Sequence, residues 1–256
     1  IYGGNEFSFN KNGVTVYHNS SVPINGNNQF SNNTDSGVSL SRSSSFENWS
    51  GVQTFENNSN RAIGIYGSSA VRIENPNIVN STKGISLGSS SSIEIVGGSI
   101  SNISGNAIYL NGSTADLNDL KISNVLNNSA VKASFSSSIY MDNVTIENNS
   151  KDGINIEYSS SASIQNSFIK ANDDGIEVHR GSSVSLKDSE ISQNQDDGIT
   201  LYENSNMKIE TSIVSNNGDD GLVASNNSNL EIYRSTISNN GGNGLKARHF
   251  SRIVIE

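Results

Sequence analysis

A small residue returns eleven times along this chain at a nearly constant interval, and no other feature constrains the fold as strongly. Gly13, Gly37, Ala62, Gly84, Ala107, Ala130, Gly153, Gly175, Gly198, Gly221 and Gly244 follow one another at spacings of 22 to 25 residues. A period of this length means a solenoid, in which each repeat buries its apolar side only against its neighbours. No helical period and no linker interrupts the pattern, so residues 1–256 are expected to form one domain.

The phase within each repeat gives the secondary structure. Positions one and three after the small residue are apolar in every repeat, as in Val14 and Val16, Ile85 and Leu87, or Ile176 and Val178, while position two is mostly polar. That alternation marks a strand with one buried face. Positions nine and eleven form a second strand, as in Val71 and Ile73 or Val184 and Leu186, and a third centres on Ile100, Ile146, Ile191, Val214 and Ile237. Position seven is Ser or Thr throughout, from Ser20 to Ser251 and including Thr114. Asn33, Asn58, Asn80, Asn149, Asn194, Asn217 and Asn240 stand four residues before the next small residue. Stacked coils place equivalent residues about 4.8 Å apart, so Asn amides can pair up the stack and satisfy turn backbone. The recurring glycine suits a turn that needs positive φ. The expected fold is all-β: a parallel β-helix of about 11 coils, with ~23 residues per coil and three parallel sheets.

Leucine-rich repeats have a similar length but require a leucine framework with asparagine directly after the strand. Left-handed β-helices run on hexapeptides, which do not generate this phasing. The whole chain resembles the right-handed parallel β-helices of the pectate-lyase-like superfamily. That resemblance implies the right-handed coil, and a scaffold shared by lyases, hydrolases, epimerases, phage tailspikes and adhesins.

Only 33% of residues are hydrophobic, which fits a thin column one coil wide. The net charge of −9 disfavours nucleic acid and anionic membranes, both of which reward Lys and Arg. The absence of cysteine excludes disulfides and thiolate zinc sites. No apolar run approaches the roughly 20 residues that membrane insertion requires. An extracellular or cell-surface location is expected. The chain opens at Ile1 without an initiator Met, as expected of a processed product or an excerpt of a longer chain.

Two clusters carry charge. Asp173 and Asp174, Asp196 and Asp197, then Asp219 and Asp220 precede the small residue in three consecutive coils, with Asp152 one coil earlier. Carboxylates stacked this closely repel by about 1 kcal/mol per pair even in water. A hard cation such as Ca²⁺ would relieve the repulsion; hydration would too, with Asp capping turn N–H groups. The second cluster occupies the outward face of the first strand: Asn155, Glu157 and Tyr158; Glu177, His179 and Arg180; Thr200, Tyr202 and Glu203; Lys246, Arg248 and His249. A His179 or Tyr202 base, nearby Glu177, and Arg180, Lys246 or Arg248 as cations suit proton abstraction beside a uronate carboxylate. The segment NDDGIEVHRG resembles alginate epimerases in its acid-x-His spacing at Glu177 and His179. Val178 replaces that family's proline, and Glu177 its aspartate.

Residues 1–12 read as a third strand and turn, and residues 244–256 as a first and second strand, together one coil. Open solenoid ends template further strands. The sequence alone is therefore read first as a structural or adhesive surface module. Its expected partner is a second copy stacked head to tail, or further coils of a longer chain. The alternative is a Ca²⁺-assisted lyase or epimerase acting on an acidic polysaccharide such as alginate or pectate. A third reading is a glycan-binding module without turnover, offering Tyr66, Tyr109, Tyr158 and Tyr202 as sugar-stacking faces.

Overall fold

A computed structural model describes all 256 residues and shows eleven stacked coils with no α-helix. Each coil contributes three strands, and the three sheets so formed are each 11-stranded. The first sheet runs from Asn12–Tyr17 to Leu245–Ala247, the second from Ser21–Ile24 to Arg252–Ile255, and the third from Glu6–Ser8 to Thr236–Ser238. Every strand pairs in parallel with its counterpart one coil on, in a register that stacks like upon like: Ile176 on Ile199 and Val178 on Leu201.

Positions one, three, nine and eleven point inward as their alternation requires, except in the coil from Ala107, where Ala115 and Leu117 at positions eight and ten do so, and 53 buried residues form one continuous core. Toward the N-terminal coils the column on the third sheet is aromatic. Phe7, Phe30 and Phe55 stack at centroid distances of 5.1 and 4.7 Å. At the other end Leu245 and Ile253 are half-buried and Ile255 is exposed.

Side-chain ladders bind the turns. The Asn149, Asn172, Asn194 and Asn217 amides each donate to the side-chain oxygen of the next Asn, the last of them Asn240, at 2.7 to 3.2 Å. Asn172 joins although it stands three residues before Gly175. Asn80 does not: it faces solvent, and Ser81 takes the interior position. The serine ladder runs through the turn between first and second strands, where the Ser137 N–H donates to Ser160 Oγ at 3.1 Å and Ser137 Oγ donates to the Ser134 carbonyl at 2.6 Å. In the coil from Ala107 its member is Ser113, because that turn is one residue shorter; Thr114 is exposed in the second sheet. A second serine ladder, Ser167, Ser189, Ser212 and Ser235, closes the turn between second and third strands.

The recurring glycines do not have positive φ. Space selects them instead. A Cβ on Gly175 would lie 2.4 Å from the Gly198 carbonyl oxygen and 2.5 Å from Ile191, and one on Gly198 would lie 2.7 Å from the Asn217 amide. The left-handed backbone falls at positions five and six, in the pairs Tyr158–Ser159, Glu203–Asn204 and Asn226–Asn227, where the chain turns from first to second strand.

Candidate active site on the outward face of the first sheet

Alternation that sends Ile154, Ile176 and Ile199 inward sends positions two and four outward, where parallel register stacks them into columns. Lys132, Asn155, Glu177 and Thr200 are consecutive at position two. Glu157, His179 and Tyr202 follow one another at position four, with backbone hydrogen bonds from His179 to Ile156 and from Tyr202 to Val178 holding the spacing. Residues far apart in sequence thus share one patch, and the structure brings together Glu177, His179, Arg180 and Tyr202.

Glu157 is the anchor of this patch. It is buried, and its carboxylate accepts from Lys132 Nζ at 2.8 Å, Ser134 Oγ at 2.9 Å and Arg180 Nη1 at 3.1 Å. Burial alone would raise its pKa; the hydrogen bonds from Lys132 and Ser134 and the Lys132 charge outweigh it and hold the carboxyl below its ordinary value. Arg180 also pairs with Glu203 at 3.5 Å and lies over the Tyr158 ring at 4.4 Å, which is itself stacked on Phe135.

His179 is half-buried, with Nε2 3.3 Å from Asn155 Oδ1, 3.6 Å from Glu177 and 3.9 Å from Glu157. Burial lowers its pKa, against the raising effect of Glu157, and the Arg180 and Lys132 charges lower it further, so the imidazole is neutral at physiological pH. Asn155 donates through Nδ2 to Glu177 at 2.6 Å, which leaves its Oδ1 to accept from His179 Nε2–H. The basic lone pair of the ring is then at Nδ1. Burial, reinforced by Asp152, pushes Glu177 up to about 7. Tyr202 is raised by burial and by Asp197, Glu177 and Asp174, so its phenol keeps its proton and serves as a donor rather than a base.

The other expected cations lie apart. Lys246 is three coils from Glu177 in register and bonds Asp220. Arg248 acts on Tyr202 only through its charge. Sequence reasoning missed Lys132, whose signal was its place at position two of the coil from Ala130.

The acidic ladder divides into three behaviours. Asp174 and Asp197 each accept the backbone N–H of the next coil's Asp at 2.8 Å, which is turn capping. Asp173 pairs with Lys151 at 3.2 Å. Although burial opposes it, Asp220 is held low by Lys246 and Asn243. Ligand atoms of Asp196, Asp197 and Asp219 alone lie within 4.8 Å of one another. Burial, then the Asp196, Asp220 and Asp219 charges, push Asp197 to about 6, a repulsion that a hard cation would remove.

Asp174 gives a pH test. Burial, with Asp152, Asp197 and Asp196, raises it to about 7 against the hydrogen bond it accepts. A folded pKa above the unfolded value means no cost below the unfolded pKa, and a cost that grows as pH rises through the folded one. Asp174→Asn keeps the acceptor and removes the charge. It should therefore melt higher than wild type at about pH 8 and close to wild type at about pH 4. A gap independent of pH in thermal melts would contradict this account of the ladder.

A family model described as a right handed beta helix region matches residues 3–118 and 106–256. The chain belongs to this family. Among solved structures it is similar to the periplasmic alginate epimerase AlgG, at 14% identity over 94% of this chain and 78% of that one, with a TM-score of 0.54. It is also similar to the A-module of the Azotobacter vinelandii mannuronan C-5 epimerase AlgE4, at 14% identity over 92% of this chain and 88% of that one, with a TM-score of 0.58. These likenesses show the fold. No curated protein sequence matches the chain.

Proposed function

We propose that the outward face of the first sheet binds an acidic polysaccharide and removes the proton beside a uronate carboxylate, the step that opens both β-elimination and C5 epimerisation. The observation that carries this reading is geometric: the half-buried His179 lies 3.9 Å from the Glu157 carboxylate that Lys132 and Arg180 share, with Tyr202 at the same position one coil on. The fold is also that of two solved uronan epimerases.

His179 Nδ1 takes the proton from carbon, and the released electron pair spreads into the substrate carboxylate. Arg180 stabilises that charge: its side chain is 43% exposed, and its ties to Glu157 and Glu203 leave further N–H donors free. Lys132 adds a second positive charge from the neighbouring column. Tyr202, one coil on, returns a proton, either to the opposite side of the carbon or to the departing glycosidic oxygen. AlgG is described as periplasmic, which supports a location outside the cytoplasm for this chain too.

Alginate and pectate incubated with the protein should show either inverted uronate signals by NMR or the ultraviolet absorbance of unsaturated ends. Neither signal with any uronan would remove the catalytic reading.

Asp196, Asp197 and Asp219 are the residues that would hold a Ca²⁺ ion, supplying charge neutralisation at the edge of the same face. A cation bound only by the folded state raises the melting temperature. Millimolar Ca²⁺ should therefore stabilise the wild type and leave Asp219→Asn much less affected. Superimposable melting curves in Ca²⁺ and in chelator would leave the ladder as hydrated turn chemistry.

A further inference from the structure

A separate hollow lies on the outward face of the second sheet, with a volume of about 430 Å³. Its floor is short: Ala70, Ser92, Thr114 and Ser138 stack in register. Beside that floor runs a taller column, Glu47, Arg72, Glu94, Asp116 and Tyr140, again one residue per coil. Two aromatic side chains mark its ends. Trp49 is 54% exposed and Tyr140 36%. They are four coils apart, about 19 Å along the axis by strand spacing.

The charge of the hollow is acidic. Its one cation, Arg72, is already committed: the guanidinium lies 3.9 Å from the centre of the Trp49 ring and pairs with Glu74 at 2.8 Å and Glu94 at 3.3 Å. Glu47 and Asp116 have no cationic partner, and Asp116 accepts only from Asn118 Nδ2 at 2.7 Å. A polyuronate would be repelled here, so the hollow is not an extension of the face that carries His179.

We propose that this hollow binds a linear glycan bearing protonated amines, a polymer of deacetylated hexosamine units. Tyr140 and the face of Trp49 that Arg72 leaves uncovered supply flat surfaces for sugar rings at the two ends, and the short floor lets the chain lie along the sheet between them. Glu47 and Asp116, the carboxylates without a cationic partner, receive the ammonium groups, which also gain attraction from the aromatic faces. An aromatic platform at each end with carboxylates between them matches a chain that alternates ring faces with amines. A cationic peptide satisfies the charges and leaves the two platforms unused.

Trp49 is the only tryptophan in the chain, so tryptophan emission excited selectively over tyrosine reports on this hollow alone. Titration with short glucosamine oligomers should give a saturable change that weakens with added salt. Asp116→Asn and Tyr140→Ala, both on exposed side chains, should each weaken binding roughly tenfold, the equivalent of one such contact, with unchanged melting curves. The N-acetylated oligomers should bind far more weakly. No saturable change with glucosamine oligomers would overturn the proposal, as would an equal response to the acetylated oligomers or to oligolysine.

Discussion

Ile176→Asp should yield no folded protein. Ile176 is fully buried and stacks between Ile154 and Ile199 in the first sheet. The core is one coil wide, so a carboxylate there meets apolar side chains on every side and has no route to water. The unpaired charge costs several kcal/mol even after relaxation, and loss of the Ile side chain adds about 2 kcal/mol or more. Together these approach the whole stability of an ordinary domain, about 5–15 kcal/mol. Ser185→Asp is the matched control, since Ser185 is an outward position of the next strand and is exposed. Its circular dichroism and melting curve should match wild type. A soluble, fully folded Ile176→Asp protein would show that the apolar phase has been assigned to the wrong face.

His179→Ala should lower turnover on a uronan by about 10²–10⁴-fold, the usual contribution of a positioned base, while leaving the melting temperature nearly unchanged. The side chain is partly exposed and belongs to no core contact, so its loss removes chemistry rather than packing. Glu157→Gln should act differently. It leaves Lys132 and Arg180 without their shared carboxylate, frees both cations for substrate, and moves the His179 titration downward by removing the charge that raises it. Retention of full activity by His179→Ala would transfer the base role elsewhere on the face.

The coil period, three sheets and inward positions were legible because a solenoid repeats its physics: Ile, Val and Leu return at the same phase in every turn. The ladders were less legible where turn length changes by one residue. Asn172 and Ser113 hold ladder positions that counting from the small residue does not reach, while Asn80 and Thr114 stand at the expected count and face outward. The glycine requirement was misassigned to dihedral angle because close approach of a neighbouring coil's carbonyl leaves no local signature. At the site, Glu177, His179, Arg180 and Tyr202 could be found from position and chemistry. Lys132 could not be ranked without the register that places it beside Glu157, one coil of sequence away. The spread of carboxylate behaviour along the ladder depends on Lys246, Lys151 and burial, none of which the Asp-Asp-Gly pattern records.

Proton abstraction from the carbon beside the carboxylate is the step that elimination and epimerisation share, so its isotope record tests the reading of this face most directly. Uronan oligomers incubated in deuterium oxide with the wild-type protein should acquire deuterium at that carbon, or lose the proton to an unsaturated ring, at a rate that collapses in His179→Ala. Unchanged proton signals in alginate and pectate oligomers alike, with a folded wild-type protein and Ca²⁺ present, would contradict a catalytic role for this face.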